Sequence, residues 1–204
     1  VFFILIDNFR YDQWKVIEEY VSNLFYIKKE KPYCSILPTT TEYARNSIFS
    51  SLLPLDISKI ESDIWDESEY GMNNHEFELL DRNLKREGFD IKHSYTKIVH
   101  YDDGVKMLKK LPNFLDYKLN SMVFNFIDML SHARSEMKLF KNLAYDEKSF
   151  RSLTTSWFIN SPLNKVLNFL SNKDVKIIIT TDHGTVKVDK PIKIIGDKNT
   201  NSNL

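Results

Sequence analysis

The chain has 204 residues, of which 42% are hydrophobic and 27% charged, so it can bury one sizeable core. Its formal net charge is zero, which excludes the broad basic surface that draws proteins onto long nucleic acid or an anionic membrane. No apolar run is long enough to span a bilayer, so no membrane insertion is expected. The single cysteine, Cys34, excludes an intrachain disulfide and fits a reducing, cytoplasmic location.

The beginning of the chain predicts the first half of a βα unit. Residues 1–6 form an unbroken apolar run that ends at Asp7, and residues 11–26 carry apolar side chains at helical spacing. An apolar run without alternation is typical of a strand covered on both faces, as in a parallel sheet. We therefore expect an α/β protein with Asp7 at the carboxyl end of its first strand.

The next segment predicts a short strand and then a helix. Residues 34–37 suggest the strand, in which Cys34 is a buried small side chain, and Pro38 ends it. Residues 42–53 favour the helix.

A run of three threonines, Thr39 to Thr41, lies at the N-terminus of that helix. Free N–H groups and the positive end of the helix dipole favour phosphate there, although one threonine is equally suited to cap the helix. Arg45, one turn later, is a candidate ligand for an anionic oxygen, and the alternative is a solvated helix face. Asn46 is a weaker candidate of the same kind.

The stretch 58–119 has a different pattern, rich in acidic and aromatic residues at its start, and is expected to be an insertion or cap. Within it, we predict helices at 74–88 and 103–111 and a strand at 91–99.

After residue 119, the pattern of the start of the chain returns: an apolar run that ends in an aspartate and is followed by helices. Residues 121–127 predict a strongly apolar strand that ends at Asp128, and His132 lies four residues later. Helical patterns follow at 133–143 and 148–170, the second interrupted near Pro162.

The last predicted strand of the core ends in a motif that is typical of ligand sites. Residues 176–185 read KIIITTDHGT, so an apolar, β-branched run stops abruptly at Asp182, His183 and Gly184. Ligand groups in open α/β sheets collect beyond the carboxyl ends of such strands, whereas the alternative is an ordinary turn with a surface histidine. Residues 185–188 and 192–195 suggest a hairpin after it.

Three apolar strands are thus each predicted to end in an aspartate: Asp7, Asp128 and Asp182. Because the carboxyl ends of parallel strands lie at one edge of a sheet, these carboxylates should converge, together with His132 and His183. Three unpaired carboxylates would repel one another, and one or two dications would relieve that repulsion. Carboxylate and imidazole donors favour Zn²⁺, Mn²⁺ or a similar ion, so we predict a metal site rather than a coincidence of turns.

Taken in order, these motifs resemble the alkaline phosphatase superfamily and, more narrowly, its PglZ domain. The segments ILIDNFRYDQW, SILPTTTEYARNSIFSSLLP, FIDMLSHARSEM and TTDHGTVKV are similar to the PglZ domain of PorX-type response regulators, which are associated with type IX secretion. The resemblance implies an alkaline-phosphatase-like, doubly wound, mostly parallel sheet with helical cap insertions. It also implies that residues 1–204 are part of a larger PglZ domain, preceded by a receiver domain.

The resemblance also implies a two-metal site, with zinc expected and manganese or magnesium as alternatives. Its first ion would be bound by Asp7, Thr41, Asp182 and His183. The second would take Asp128 and His132 together with a further histidine that the superfamily supplies from a later segment. Thr41 would be the nucleophile, and Arg45 and Asn46 would bind the substrate.

The function implied is that of a zinc-dependent phosphodiesterase, acting on nucleotides or on short or cyclic oligonucleotides. The implied partners are a sensor histidine kinase, through the receiver domain, a sigma factor, and a second copy in a phosphorylation-controlled homodimer. The alternative is a non-catalytic, metal-binding module for signalling and dimerisation that binds transcriptional or secretion partners.

Overall fold

The computed structural model describes residues 1–65 and 73–186 and the single residues 188, 190 and 192. Its strands, in chain order, are β1 (Phe2–Ile6), β2 (His93–Ile98), β3 (Leu119–Phe124) and β4 (Ile177–Thr180). They form one sheet in the order β2-β3-β1-β4, and every neighbouring pair is parallel. The predicted α/β class with a parallel sheet is confirmed.

Helices connect these strands and cover the sheet. In chain order they are α1 (Tyr11–Ser22), α2 (Thr41–Ser50), α3 (Pro54–Ile60), α4 (Glu76–Arg86), α5 (Tyr101–Lys110), α6 (Phe126–Glu136), α7 (Lys138–Leu143), α8 (Glu147–Asn160) and α9 (Pro162–Leu170). A short 3₁₀ helix, Leu111–Asp116, follows α5. Within the described residues, no helix is both long enough and apolar enough to cross a bilayer.

Both faces of the central strand β1 are buried, which explains why it is apolar without alternation. Ile4 and Ile6 of β1 pack on one face against α1, α5 and α9, where Ile17 is fully buried. Leu5 points to the opposite face and packs against α2, α3 and α4, where Phe49 is buried. Because successive side chains of a strand alternate between faces, one strand supplies both cores.

Two predicted elements differ from the structure, and a third lies largely outside the residues that it describes. Residues 34–37 form no strand, and Cys34 is exposed rather than buried. The strand predicted at 121–127 ends at Phe124, and Asp128 lies in the first turn of α6, where Ile127 and Leu130 are buried at helical spacing. The hairpin expected after residue 185 falls largely outside the described residues.

Local capping divides one predicted helix, and the predicted insertion contributes to the central sheet. The helical pattern 148–170 is divided into α8 and α9, because Ser161 caps α9 through a hydrogen bond from the Asn164 N–H and Pro162 occupies its first turn. The stretch 58–119, expected to be an insertion or cap, contributes β2 to the central sheet and α4 to the layer that packs on α2.

Candidate active site

The predicted aspartates meet at the carboxyl edge of the sheet. Asp7 directly follows β1, Asp182 follows β4, and Asp128 lies just beyond β3 at the start of α6. Parallel neighbours in register bring these three positions together, since β1 is hydrogen-bonded to both β3 and β4. The carboxylates of Asp7 and Asp182 are each 1% exposed, so the edge is a buried, strongly acidic site.

A group of three donors can hold a metal ion. One ligand atom from each of Asp7, Asp128 and His183 lies within 4.8 Å of the other two. Asp7 Oδ1 is buried without a hydrogen-bond partner and lies 3.5 Å from His183 Nε2. A carboxylate oxygen that is left unpaired beside an imidazole nitrogen fits a divalent cation, because the ion supplies the interaction that the protein does not.

The pKa of Asp7 reflects the same need for a cation. Burial is the main cause that raises this pKa to about 9, with a further contribution from the nearby Asp182 and Asp128, although Arg45 acts to lower it. Arg45 therefore compensates only part of the cost of an ionised Asp7. A bound dication would complete the compensation and keep this carboxylate ionised.

Arg45 lies between the carboxylates. It is 1% exposed, and its guanidinium pairs with Asp7 at 2.5 Å, with Asp182 at 3.1 Å and with Glu76 at 3.3 Å. Burial alone would lower the pKa of Arg45, but the three carboxylates raise it above its usual value. The side chain proposed from sequence to bind substrate thus serves here as the counter-charge of a buried acidic cluster.

Thr41 is adjacent to the metal donors. It is the first residue of α2, after Thr40 at the N-cap position, and its hydroxyl oxygen lies 2.9 Å from His183 Nε2. Thr41 and Arg45 are separated by one turn and so lie on the same side of α2. Helix α2 therefore carries both the hydroxyl beside the donor group and the positive charge that pairs with Asp7 and Asp182.

Asn8 holds two of the acidic side chains in position. Its backbone N–H donates to Asp182 Oδ1 at 3.1 Å, and its side-chain amide donates to Asp128 Oδ1 at 3.0 Å. To do so, the residue adopts a positive φ of 57°, a conformation that asparagine tolerates better than most residues. Phe9 provides a second link between the segments that follow β1 and β4, since its N–H donates to the Thr181 hydroxyl at 2.9 Å.

Not every predicted site residue joins the three-donor group. Both oxygens of Asp182 are engaged, Oδ1 by the N–H groups of Asn8 and His183 and Oδ2 by Arg45. The side chain of His132 is 65% exposed, and its Nε2 lies 3.5 Å from Asp128 Oδ2 at the border of the group. Asn46 is buried beside Arg45 on α2.

Comparison with protein-family models gives one result that spans the chain. Residues 1–203 match the family described as the BREX system PglZ alkaline phosphatase-like domain. The chain belongs to the PglZ family. A search among curated proteins found no match. Membership of this alkaline-phosphatase-like family indicates a hydrolase that acts on phosphoesters, and enzymes of that superfamily typically use divalent metals, in agreement with the Asp/Asp/His group.

Sequence reasoning missed two residues of this PglZ site. Glu76 opens α4, is 2% exposed, and accepts a hydrogen bond from the Tyr95 hydroxyl while it pairs with Arg45. Its sequence context is that of an ordinary acidic residue in the first turn of an amphipathic helix, so no local signal sets it apart. Asn8 carried a usable signal, since an asparagine directly after a strand favours a left-handed turn.

Proposed function

We propose that this PglZ domain is a metal-dependent phosphodiesterase that uses Thr41 as its nucleophile. The observation that carries the proposal is the position of the Thr41 hydroxyl, 2.9 Å from His183 Nε2 and beside the donor group of Asp7, Asp128 and His183. A nucleophile beside a donor group whose ion would neutralise phosphoryl charge is the arrangement that phosphoryl transfer requires.

Each residue of the site has a separate role in this proposal. Asp7, Asp128 and His183 would hold the ion, which when bound supplies Lewis-acid stabilisation of charge on the phosphoryl oxygens and favours ionisation of a nearby hydroxyl. The 2.9 Å contact between the Thr41 hydroxyl and His183 Nε2 places the nucleophile beside the nitrogen that would bind the ion. The free backbone N–H groups in the first turn of α2 are positioned to bind non-bridging oxygens.

The reaction balances in two displacements. The Thr41 oxygen forms a bond to phosphorus while the bond from phosphorus to the leaving oxygen breaks, and the leaving group takes up one proton for the proton that the threonine loses. Water then attacks the same phosphorus, which releases a phosphomonoester and restores the hydroxyl. Arg45 remains paired with Asp7 and Asp182 and limits repulsion among the buried carboxylates.

The metal is proposed to be zinc, because imidazole joins carboxylate in the donor group. We propose a second ion at Asp128 and His132, whose facing atoms are 3.5 Å apart. The His132 side chain is 65% exposed, which leaves it room to rotate toward such an ion.

The substrate and the cellular context are proposals as well. We propose nucleotide or short oligonucleotide diesters as substrates, and a cytoplasmic response regulator of type IX secretion, controlled by a histidine kinase and by dimerisation, as the parent protein. The four motif segments that resemble PorX-type regulators support this context. The description of the matching family supports a role in a BREX system as the second context.

Hydrolysis of bis(p-nitrophenyl) phosphate by the zinc-loaded protein tests the mechanism. Thr41→Val should lower kcat by at least about a thousandfold, because it removes the nucleophile, whereas Thr41→Ser should retain much of the activity. Thr155→Val, on helix α8 and outside the donor group, is the matched control and should leave kcat unchanged. Undiminished hydrolysis by Thr41→Val would refute Thr41 as the nucleophile, whereas absence of hydrolysis by the zinc-loaded protein with Thr41 intact would favour the non-catalytic signalling module.

A further inference from the structure

A cavity of about 320 Å³ lies beside the candidate active site. Each of the three metal donors is followed, within three residues, by a residue that lines it: Arg10 after Asp7, Ser131 after Asp128, and Thr185 after His183. The intervening Gly184 packs closely on Arg10, since a Cβ at this glycine would lie 3.0 Å from Arg10 Cγ. The cavity is therefore continuous with the segments that carry the donors.

Positive charge dominates the wall of this cavity. Arg10, Arg134 and Lys141 line it, and Glu147 is the acidic residue among the lining side chains. Its volume lies at the lower end of the range of small-molecule sites, about 300–1,000 Å³. A small anionic group is the ligand that such a wall favours.

The two guanidinium groups are held rigidly. Arg10 forms a bidentate pair with Asp12, with both N···O distances at 2.9 Å. Arg134 donates to the Ala144 carbonyl at 2.7 Å and pairs with Glu147 at 2.9 Å. Both also lie over the ring of Phe150, at 5.5 and 4.8 Å from its centroid. Ordered donors lose little conformational freedom when they bind a ligand, which favours affinity.

The carboxylates of Asp12 and Glu147 do not neutralise all the positive charge at the cavity wall. Arg151 also pairs with Asp12, so three guanidinium groups, those of Arg10, Arg134 and Arg151, share the two carboxylates of Asp12 and Glu147. Lys141 is exposed and forms no ion pair within the described part of the chain. The hydroxyls of Ser131, Tyr145 and Thr185 add neutral donors to the same wall.

We propose that this cavity binds a second phosphate group of the substrate, next to the phosphodiester that reacts at Thr41. The substrate class would then be diesters that carry a terminal phosphate on one of their two arms. The proposal rests on the proposed function for its account of the reacting phosphate. The cavity itself depends only on the geometry and charge of its lining residues.

Binding of two matched ligands tests the proposal. Dithymidine monophosphate and the same dinucleotide with a 5′-phosphate would be titrated calorimetrically into the zinc-loaded Thr41→Val protein, which should not consume them. We expect the 5′-phosphorylated ligand to bind about tenfold more tightly, as a charge-assisted contact to phosphate provides. Lys141→Ala should reduce this preference about three- to tenfold and leave the affinity for the other ligand unchanged.

Lys138→Ala is the matched control, because Lys138 is also exposed on α7 but does not line the cavity. It should preserve the preference for the phosphorylated ligand. Equal affinities of the Thr41→Val protein for the two ligands would overturn the proposal, and so would equal effects of the two lysine substitutions.

Hydrolysis of bis(p-nitrophenyl) phosphate by the protein with Thr41 intact reports separately on the proposed function, because that substrate has no second phosphate. Absence of hydrolysis together with a retained, Lys141-dependent preference would refute the reaction and support the anion site.

Discussion

Replacement of Arg45 by methionine should destabilise the metal-free protein severely. Methionine fills a similar volume, but it removes the positive charge that faces Asp7, Asp182 and Glu76 at 2.5, 3.1 and 3.3 Å. All four side chains are at most 2% exposed, so water cannot solvate the carboxylates that remain. Buried charge without a partner is among the largest sources of instability in a folded protein.

The expected loss is about 3–5 kcal/mol of unfolding free energy. At an effective dielectric constant of about 20, one ion pair at about 3 Å contributes roughly 5 kcal/mol of attraction. Asp7 has a pKa of about 9 in the metal-free protein and is neutral at pH 7, so the sum runs over the pairs with Asp182 and Glu76. Desolvation of the charged groups offsets much of it, and breaking a buried pair costs about 3–5 kcal/mol in practice. Since domains are stable by only about 5–15 kcal/mol, a large fraction of the total would be lost.

Urea denaturation in the presence of a chelator measures this loss. Arg82→Met is the matched control, because Arg82 also pairs with two carboxylates, Glu61 and Asp63, but its side chain is 36% exposed. The control should lose far less stability, since solvent screens exposed pairs. Adding Glu76→Gln to Arg45→Met should restore only a small part of the stability, because Glu76 keeps its pair with Lys97 at 3.4 Å and its hydrogen bond from the Tyr95 hydroxyl.

Two results would refute this reasoning. One is a loss below about 1 kcal/mol for Arg45→Met, which would mean that the carboxylates are protonated or hydrated at no cost. The other is an equal loss for Arg45→Met and Arg82→Met. Zinc should reduce the difference in unfolding free energy between Arg45→Met and the wild type, because a dication replaces the missing positive charge.

Two further predictions concern metal binding and pH. Asp128→Asn should weaken zinc affinity by at least about 10- to 100-fold in a competition titration, whereas Asp116→Asn, at an exposed position, should not; equal affinities of the two variants would contradict the metal centre. Partial burial raises the pKa of Asp12, but hydrogen bonds from Arg10 and Arg151 outweigh it and hold the pKa below its usual value. The stabilisation from Asp12 is therefore present above about pH 4 and is lost as the pH falls through the lowered pKa. Asp12→Asn should lower the urea midpoint at pH 7 and have less effect at pH 3, and an effect independent of pH would exclude this origin.

The strands and the motif that ends them could be predicted from the sequence. The apolar run before Asp7 lies on β1, which is covered on both faces, and covered strands select aliphatic residues along their whole length. The run before Asp182 lies on the edge strand β4, where Ile178 is 44% exposed. The strand end predicted at Asp128 is wrong, because Phe126, Ile127 and Leu130 suit a strand or a helix equally well until their neighbours are known. Short apolar segments carry no period long enough to decide between the two.

What the sequence by itself determined is which chemical groups this PglZ domain carries to the edge of its sheet: three aspartates, a histidine and a threonine at a helix start. Only the tertiary structure decided which of them meet. Asp7, Asp128 and His183 converge through the pairing of strands that are far apart in the chain. The burial of Arg45 and its contact with Glu76 depend on how α2 and α4 pack together. Local sequence encodes the charge of a side chain, whereas its neighbours and its access to water depend on contacts between distant segments.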